Sequence, residues 1–358
     1  MTRRLPGARA LGRRGASGER GRPLAPRVSS TELPRPFAID APERAVPHKF
    51  KTLAAFGTIY LVWGSTYFAI RIGVLEIAPL LLASIRFTLA GLVVCAWALA
   101  RGQRLPSRRQ WGSIALLAFL IFVMDYGLLF TAEERIHSGM AAVILATIPA
   151  FTAVAEIIWL RTQRLTPRLA VALLVGLGGV VVLVDPSLGV AGAPVYWLAA
   201  VALIVAAMSW SVASILVRLL PLPASKTMSA GTQMLIGGVL LGLATVLCGE
   251  EHGFDPAAVS TAAWLALAYL IVAGSLLGFC AYTWLIQHES PTKVGTYAYV
   301  NPLIAVSIGY LFGGEPLDAR TVLGTVLVIA SVVIIITGKT RKAAVPVPLE
   351  SELGVEQS

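Results

Sequence analysis

Three charged side chains fall inside long apolar stretches of this sequence: Arg86, Asp125 and Glu156. A charge in hydrocarbon costs about 2.5 to 3.5 kcal/mol on insertion scales, so such residues pair with one another or carry function. At about 1.5 Å per helical residue, Arg86 lies about 10 Å below one end of its stretch, and Asp125 lies about 7 to 8 Å below the matching end of its own. The matching depths point to an ion pair, which would either lock two helices together or contribute to substrate binding or gating. Glu156 sits near the opposite end of its stretch. It either reaches back toward Arg161 or Arg164 or exchanges a proton during a cycle.

Aromatic and amide groups recur at mid-stretch depth: Trp63, Tyr126, Trp210, Tyr282, Tyr297, Tyr299 and Asn301. Polar-tipped rings suit a solute with an apolar body and a few polar groups. Trp111, Trp159, Trp264 and Trp284 stand near stretch ends and read as an interfacial belt. Pro149 and Pro302 each lack an N–H and free a carbonyl, so their helices either wall a cavity or kink for packing. The glycine pairs Gly238/Gly242, Gly274/Gly278 and Gly309/Gly313 are spaced for close helix approach.

Other chemistry is poorly served. The four histidines, His48, His137, His252 and His288, lie in tails or loops, and there is no His-Glu-x-x-His or Gly-x-Ser-x-Gly run. A membrane-embedded enzyme is therefore disfavoured. No Walker-type loop is present to hydrolyse nucleotide. Cys95, Cys248 and Cys280 sit in apolar runs and read as small core residues, with no metal or disulfide and no cofactor expected.

The elements that must hold these groups follow from composition. The 358 residues are 56% hydrophobic and 13% charged, against about 25% charged in a soluble domain. Ten apolar spans can be drawn: 53–71, 79–100, 111–130, 138–160, 169–185, 194–218, 227–248, 262–285, 294–312 and 320–338. Residues 1–52 form an Arg/Pro/Gly/Ser-rich segment read as a disordered basic cytoplasmic tail, or as an arm for anionic lipid or nucleic acid. Residues 339–358 read as a C-terminal cytoplasmic tail. With the N-terminus inside, 25 of the 29 Lys and Arg residues face the cytoplasm and three, Arg71, Arg135 and Arg320, face outward. An even span count puts both termini in the cytoplasm. The net charge of +10 thus reads as an orientation signal plus a basic tail, and nucleic acid is not the expected partner.

The two halves repeat. Trp63-Gly64-Ser65-Thr66-Tyr67-Phe68-Ala69-Ile70-Arg71 returns as Trp210-Ser211-Val212-Ala213-Ser214-Ile215-Leu216-Val217-Arg218, an offset of 147. The same offset carries Arg86 to Gln233 and Ala90-Gly91 to Gly237-Gly238, and an offset of 153 carries Thr147-Ile148-Pro149 to Val300-Asn301-Pro302. Five spans per copy is odd, so the copies enter the membrane in opposite senses. The expected fold is an all-α integral membrane protein of ten transmembrane helices in two inverted five-helix repeats, 53–185 and 194–338. Secondary transporters share that architecture, with the substrate near the midplane.

The Trp63–Gly73 stretch, Pro79, Arg86-Phe87, Ala132-Glu133, Ser138–Val143, Thr147–Thr152 and Thr296–Pro302 together resemble the drug/metabolite transporter superfamily, in particular its EamA-type permeases. The resemblance covers about residues 53–338. It implies export or exchange of small metabolites across the inner membrane, through a central cavity lined by spans 1, 3, 4, 6, 8 and 9. Carried onto this chain, it favours Trp63, Ser65, Thr66, Tyr126, Thr147, Pro149, Trp210, Tyr282, Tyr297, Asn301 and Pro302. One departure stands out: the family's Gly-Glu survives as Gly314-Glu315, while the first repeat has Thr162-Gln163. The expected function is a secondary or facilitative exporter of small solutes in a lipid bilayer, the alternative being a non-transporting sensor or scaffold.

Overall fold

The computed structural model describes residues 48–160, 165–184, 193–289 and 291–337. The two tails therefore lie almost wholly outside the described residues, as do Arg161, Thr162, Gln163 and Arg164. Residues 48–52, read as tail from sequence, open the first helix instead. Every regular element among the described residues is helical. The helices are α1 (His48–Val74), α2 (Pro79–Ala100), α3 (Arg108–Glu133), α4 (Ser138–Trp159), α5 (Pro167–Val184), α6 (Ala193–Leu219), α7 (Lys226–Cys248), α8 (Thr261–Leu285), α9 (Tyr297–Gly313) and α10 (Ala319–Thr337). A single turn, Pro291–Val294, precedes α9.

Eight of these are long and apolar enough to cross a bilayer, and two shorter apolar helices complete the set. Helices prevail because hydrocarbon offers backbone N–H and C=O groups no partner, so each segment must satisfy its own. Leu174, Leu198, Leu247, Leu311 and Phe312 all point outward and are highly exposed, as a lipid-facing surface requires. Ser260 and Asp318 stand at the starts of α8 and α10, where their side chains accept the first-turn amides of Ala263 at 3.2 Å and Thr321 at 2.7 Å.

The repeats meet through α2 and α7. Added β-carbons on Gly91 and Gly238 would strike the backbone of Leu235 and Thr88 respectively; on Gly231 and Gly242 they would touch Cys95 and Ser84. Along α2 the contact residues run 84, 88, 91, 95 while along α7 they run 242, 238, 235, 231, so the two helices are antiparallel. Each contact also maps onto another when 147 is added to one partner and subtracted from the other. That is a two-fold axis perpendicular to both helices, lying in the membrane plane. The Ser84 hydroxyl donates to the Gly238 carbonyl at 2.9 Å across this crossing.

α5 and α10 repeat the arrangement at an offset of 152. Gly176 faces Ser331 as Gly179 faces Val328, and the Ser331 hydroxyl donates to the Ala172 carbonyl at 2.7 Å while Gly179 abuts the Gly324 carbonyl. The inverted repeat is thus a packing fact at two helix pairs. It swaps the outer elements as well. α1 of the first repeat packs on α8 and α9 of the second, while α6 of the second packs on α3 and α4 of the first.

Three helices depart from regular α geometry. Wide π turns occupy Phe119–Gly127 in α3 and Leu270–Leu277 in α8, at matching positions of the two repeats. In each case a side chain from the other repeat's first helix supplies a donor: Ser209 to the Leu120 carbonyl at 2.8 Å, and Trp63 Nε1 to the Gly274 carbonyl at 3.1 Å. α4 is interrupted at Ala146–Thr147, and Pro149 lies in the first turn of the piece that follows. Pro302, by contrast, lies within α9.

Gly91→Ala and Gly238→Ala should each lower the thermal unfolding midpoint in detergent, because backbone cannot yield to the new methyl; overpacking of this kind costs about 1 to 3 kcal/mol. Gly57, with open space around it, should accept alanine without loss. A second expectation concerns Glu76, whose carboxylate accepts from the Ser260 amide and hydroxyl, both at 2.6 Å. The Ser260 hydroxyl bond, with the amide bond beside it, holds the Glu76 carboxyl below its ordinary range. Its contribution is therefore present above the ordinary glutamate pKa and lost as pH falls through the lowered one. Hydrogen exchange at the Ser260 amide should accelerate only in that acidic window, and Glu76→Gln should abolish the pH step.

Candidate functional site

Two aromatic groups occupy the interior, each drawing rings from both repeats. In the first, the Trp63 ring on α1 lies 5.4 Å from Tyr282 on α8 and 5.3 Å from Tyr297 on α9, and the two tyrosine rings are 6.2 Å apart. Gly278 makes this possible, since a β-carbon there would strike the Trp63 indole nitrogen. In the second, Phe87 on α2 contacts Phe122, Tyr126 and Phe130 on α3, and Tyr126 meets Trp210 on α6 edge to face at 6.2 Å. Five of the sequence-expected residues, Trp63, Tyr126, Trp210, Tyr282 and Tyr297, therefore fall into two clusters.

Arg86 stands between them. It is 3% exposed, and its guanidinium carbon lies 4.7 Å from the Phe87 ring centre and 5.4 Å from that of Tyr126. Its Nε donates to the Ser275 hydroxyl at 3.1 Å. Its Nη2 and the Thr66 methyl both rest on Gly274, the residue whose carbonyl takes the Trp63 indole N–H. Arg86 thus touches the second cluster directly and reaches the first through Gly274.

The expected Arg86–Asp125 ion pair does not form. Asp125 is also 3% exposed, but its carboxylate is not within ion-pair distance of Arg86, whose Nε is bonded to Ser275 instead. Depth along the bilayer matched, yet rotation about the helix axes and the wide turn of α3 aim the two groups differently. Arg86 Nη1 and Asp125 Oδ1 are each left without a hydrogen-bond partner, as are Asn301 Oδ1 and both carboxylate oxygens of Glu133. Buried groups in that condition are costly and await a partner.

The remaining expected residues separate. Thr66 is buried beside Gly274, with its hydroxyl on the Trp63 carbonyl at 2.6 Å. Thr147 is buried and bonded to the Ile144 carbonyl at 2.7 Å, at the break in α4. Just beyond it the Ile148 carbonyl, which precedes Pro149, accepts from Ser211 of α6 at 3.1 Å. Asn301 and Pro302 are buried, and the Asn301 carbonyl abuts Gly64 of α1. Gly64 and Ser211 correspond at offset 147, so one contact is the repeat image of the other. Ser65 points away from the aromatic group, its hydroxyl meeting Tyr269 at 2.6 Å. Glu156 is bonded by Arg218 at 2.9 Å, a partner on the other repeat.

Two acidic residues stood only in the family motifs and not among the expected site residues. Ending the third span at Phe130 left Glu133 in a loop, whereas α3 runs on to Glu133 and buries it completely. Arg71 is tied to the Glu133 main-chain oxygen. Glu315, also read as loop, is buried at the start of α4. Outside the spans, burial pushes the Glu250 carboxyl up despite the Leu80 amide bond, and the Thr321 amide draws Asp318 below its usual range.

Comparison with known proteins adds family context. A model of the EamA-like transporter family matches residues 52–185 and again residues 197–337. The uncharacterized inner membrane transporter YedA of Escherichia coli K12 is 35% identical over 295 residues, covering 82% of this chain and 93% of that protein. Protein PecM of Dickeya dadantii is 27% identical, covering 76% of this chain and 88% of its own length. A solved crystal structure matches with a TM-score of 0.55 at 23% identity over 80% of this chain and 96% of the other, a likeness of fold.

A double-mutant cycle on thermal stability distinguishes the two partners considered for Arg86. Arg86→Gln with Ser275→Ala should show a coupling on the order of 0.5 to 3 kcal/mol, as groups in contact do. Arg86→Gln with Asp125→Asn should show less.

Proposed function

Because this chain belongs to the EamA-like transporter family, and so is a multi-pass membrane transporter, we propose that it is a secondary or facilitative carrier exporting small amphipathic metabolites by alternating access. Amino acids and drug-like compounds are the solute classes that fit, and the cytoplasmic membrane is the location. The observation that carries the reading is the antiparallel crossing of α2 on α7, with its contacts exchanged by a two-fold axis in the membrane plane. A chain folded as two inverted copies has two nearly equal ways to pack, one open to each side, and alternation between them moves a solute bound at the interface.

The interface has the chemistry for such a solute. Two aromatic groups offer apolar faces, while Arg86, Asp125 and Asn301 offer a cation, a carboxylate and an amide with unspent hydrogen bonds. Thr66, Thr147, Pro149 and Pro302 belong to the same walls, through the Gly274 contact, the α4 break and the α9 carbonyl against Gly64. Ser65 contributes to helix packing at Tyr269. The excess of Lys and Arg on one set of loops supports cytoplasmic termini, which would make the end bearing Arg71, Glu133 and Ser138 the outer one.

Reconstitution into proteoliposomes tests the reading, using a panel of radiolabelled amino acids and an amphipathic cationic dye. Flux of at least one probe above protein-free vesicles is expected, and its absence across the panel would favour a sensor or scaffold. Trp63→Ala with Trp210→Ala should lower that flux about tenfold, the loss of roughly 1.4 kcal/mol of aromatic contact. Unchanged flux in the double variant would remove the two clusters from the pathway. Imposing a pH gradient separates the driving forces. Proton exchange at Asp125 or Glu156 predicts gradient-dependent flux, and facilitated diffusion predicts none.

A further inference from the structure

Helix starts are treated differently at the two ends of the bundle. At the end bearing Arg71, three helices begin against a glutamate from the other repeat. Glu250, just beyond α7, accepts the Leu80 amide in the first turn of α2 at 2.8 Å. Glu315, just beyond α9, accepts the Ser138 amide at 2.8 Å, the Ser138 hydroxyl at 2.6 Å and the Gly139 amide at 3.0 Å, all at the start of α4. Glu76, just beyond α1, accepts the amide and hydroxyl of Ser260 at the start of α8. Carboxylates belong at helix N-termini, where amides lack partners and the dipole is positive. Here each one comes from the opposite half of the molecule.

At the other end three helix starts are capped from their own sequence and none by a carboxylate of the opposite half among the described residues, whereas at the Arg71 end Ser260 and Asp318 add such local caps to α8 and α10. Ser225 accepts the Met228 amide at 3.0 Å for α7, and Thr166 accepts the Leu169 amide at 3.2 Å for α5. Gln110 of α3 accepts the Ser107 amide at 2.8 Å. A copy of the Glu315 contact is chemically barred there: the residue matching Ser138 at offset 153 is Pro291, which has no amide N–H, and the residue matching Glu315 at offset 152 is Gln163. The ion pair joining the repeats at that end, Arg218 to Glu156, leaves the Arg218 side chain 60% exposed, where such pairs contribute little.

The sequence around Glu315 is built for its contact. Gly314 adopts φ of +62°, a left-handed turn that ends α9 and lets the Glu315 amide return to the Gly309 carbonyl at 3.0 Å. Gly309 has no side chain because the Glu315 carboxylate occupies that space, and a β-carbon on Gly139 would lie 3.4 Å from the same carboxylate.

We propose that Glu76, Glu250 and Glu315 form an inter-repeat clamp that holds the Arg71 end of the carrier shut, and that opening this end requires these carboxylates to leave the helix starts they cap. The clamp rests on the alternating-access reading and gives it a direction. The resting carrier is closed at the clamped end and opens more readily at the other, and Glu315, the most buried of the three with the most bonds, is the main fastening.

Spin-label distance measurements on the full chain test this without a solute. Labels go on cysteines replacing Arg135 and Leu317, exposed residues beside Ser138 and Glu315, in a background with Cys95, Cys248 and Cys280 changed to alanine. Glu315→Gln, which keeps the side-chain size, should raise the population at longer distance about tenfold relative to the parent, the effect expected from losing charge-assisted hydrogen bonds. Gly309→Ala, which displaces the carboxylate without removing it, should do the same. Glu76→Gln with Glu250→Gln should add to the shift, and Gln110→Ala, which removes a local cap at the far end, should not produce it. Unmoved distances in Glu315→Gln and Gly309→Ala proteins that elute as the parent does would overturn the clamp. So would an equal shift from Gln110→Ala. Absence of flux in proteoliposomes would overturn the transport reading while leaving these distances to judge the clamp separately.

Discussion

The close antiparallel crossing of α2 on α7 is the constraint from which the rest of the architecture follows. Lipid tails are as apolar as leucine, so helices in a membrane gain little by hiding hydrophobic surface from one another. What they gain is dispersion contact and interhelical hydrogen bonding, both of which require backbones to come close. Gly91 and Gly238 remove the side chains that would keep α2 and α7 apart, and Ser84 bonds to the Gly238 carbonyl across the seam. Since the two helices are copies of one another, their best contact is one that each presents to the other. A two-fold axis results, and it fixes where every other helix of the second repeat must lie once the first is placed.

Around that axis the helices that depart from regular geometry are the ones that face the other repeat. Carbonyls in the wide turns of α3 and α8 and just after the break in α4 accept from Trp63, Ser209 and Ser211 of α1 and α6. Each first helix is thereby stitched into the half to which it does not belong by sequence. The exchange explains why Arg86 can lie near groups from both halves. It rests on rings from α2 and α3, bonds Ser275 on α8, and shares Gly274 with Thr66 on α1.

Helix count, their placement and the repeat were legible in the sequence because each depends on patterns that survive in one dimension: run length, the spacing of Trp63 to Arg71 against Trp210 to Arg218, and glycine pairs. All six of those paired glycines prove to be contact points. The aromatic residues were legible for the same reason, and five of them gather as their depth suggested. Rotation about the helix axis was not legible. Depth alone matched Arg86 with Asp125, but the π turn in α3 shifts the facing of everything after Phe119, and the guanidinium meets Ser275 instead. Ser65 shows the same dependence on rotation: it is adjacent to Gly64 and Thr66 in sequence, and its hydroxyl meets Tyr269. Glu133 and Glu315 were hidden because a charge near a span end reads as loop, although a carboxylate can be buried there when a helix start or an arginine stands close by.

A perfectly symmetric carrier would have no preferred direction, so the positions where the copies differ are informative. The repeats agree at Gly91 and Gly238, where the crossing is closest, and at the two tryptophans, which lie in the two aromatic groups. They differ at Arg86 against Gln233, at Gly64 against Ser211, and at Glu315 against Gln163. The first difference places a single cation on one side of the axis, so a bound solute meets an asymmetric field in an otherwise duplicated frame. The last gives one end a buried carboxylate on a helix start that the other end cannot copy, because Pro291 has no N–H to offer. On the alternating-access reading proposed above, duplication would supply two packings of nearly equal energy, and a small number of unmatched polar residues would tilt the balance between them.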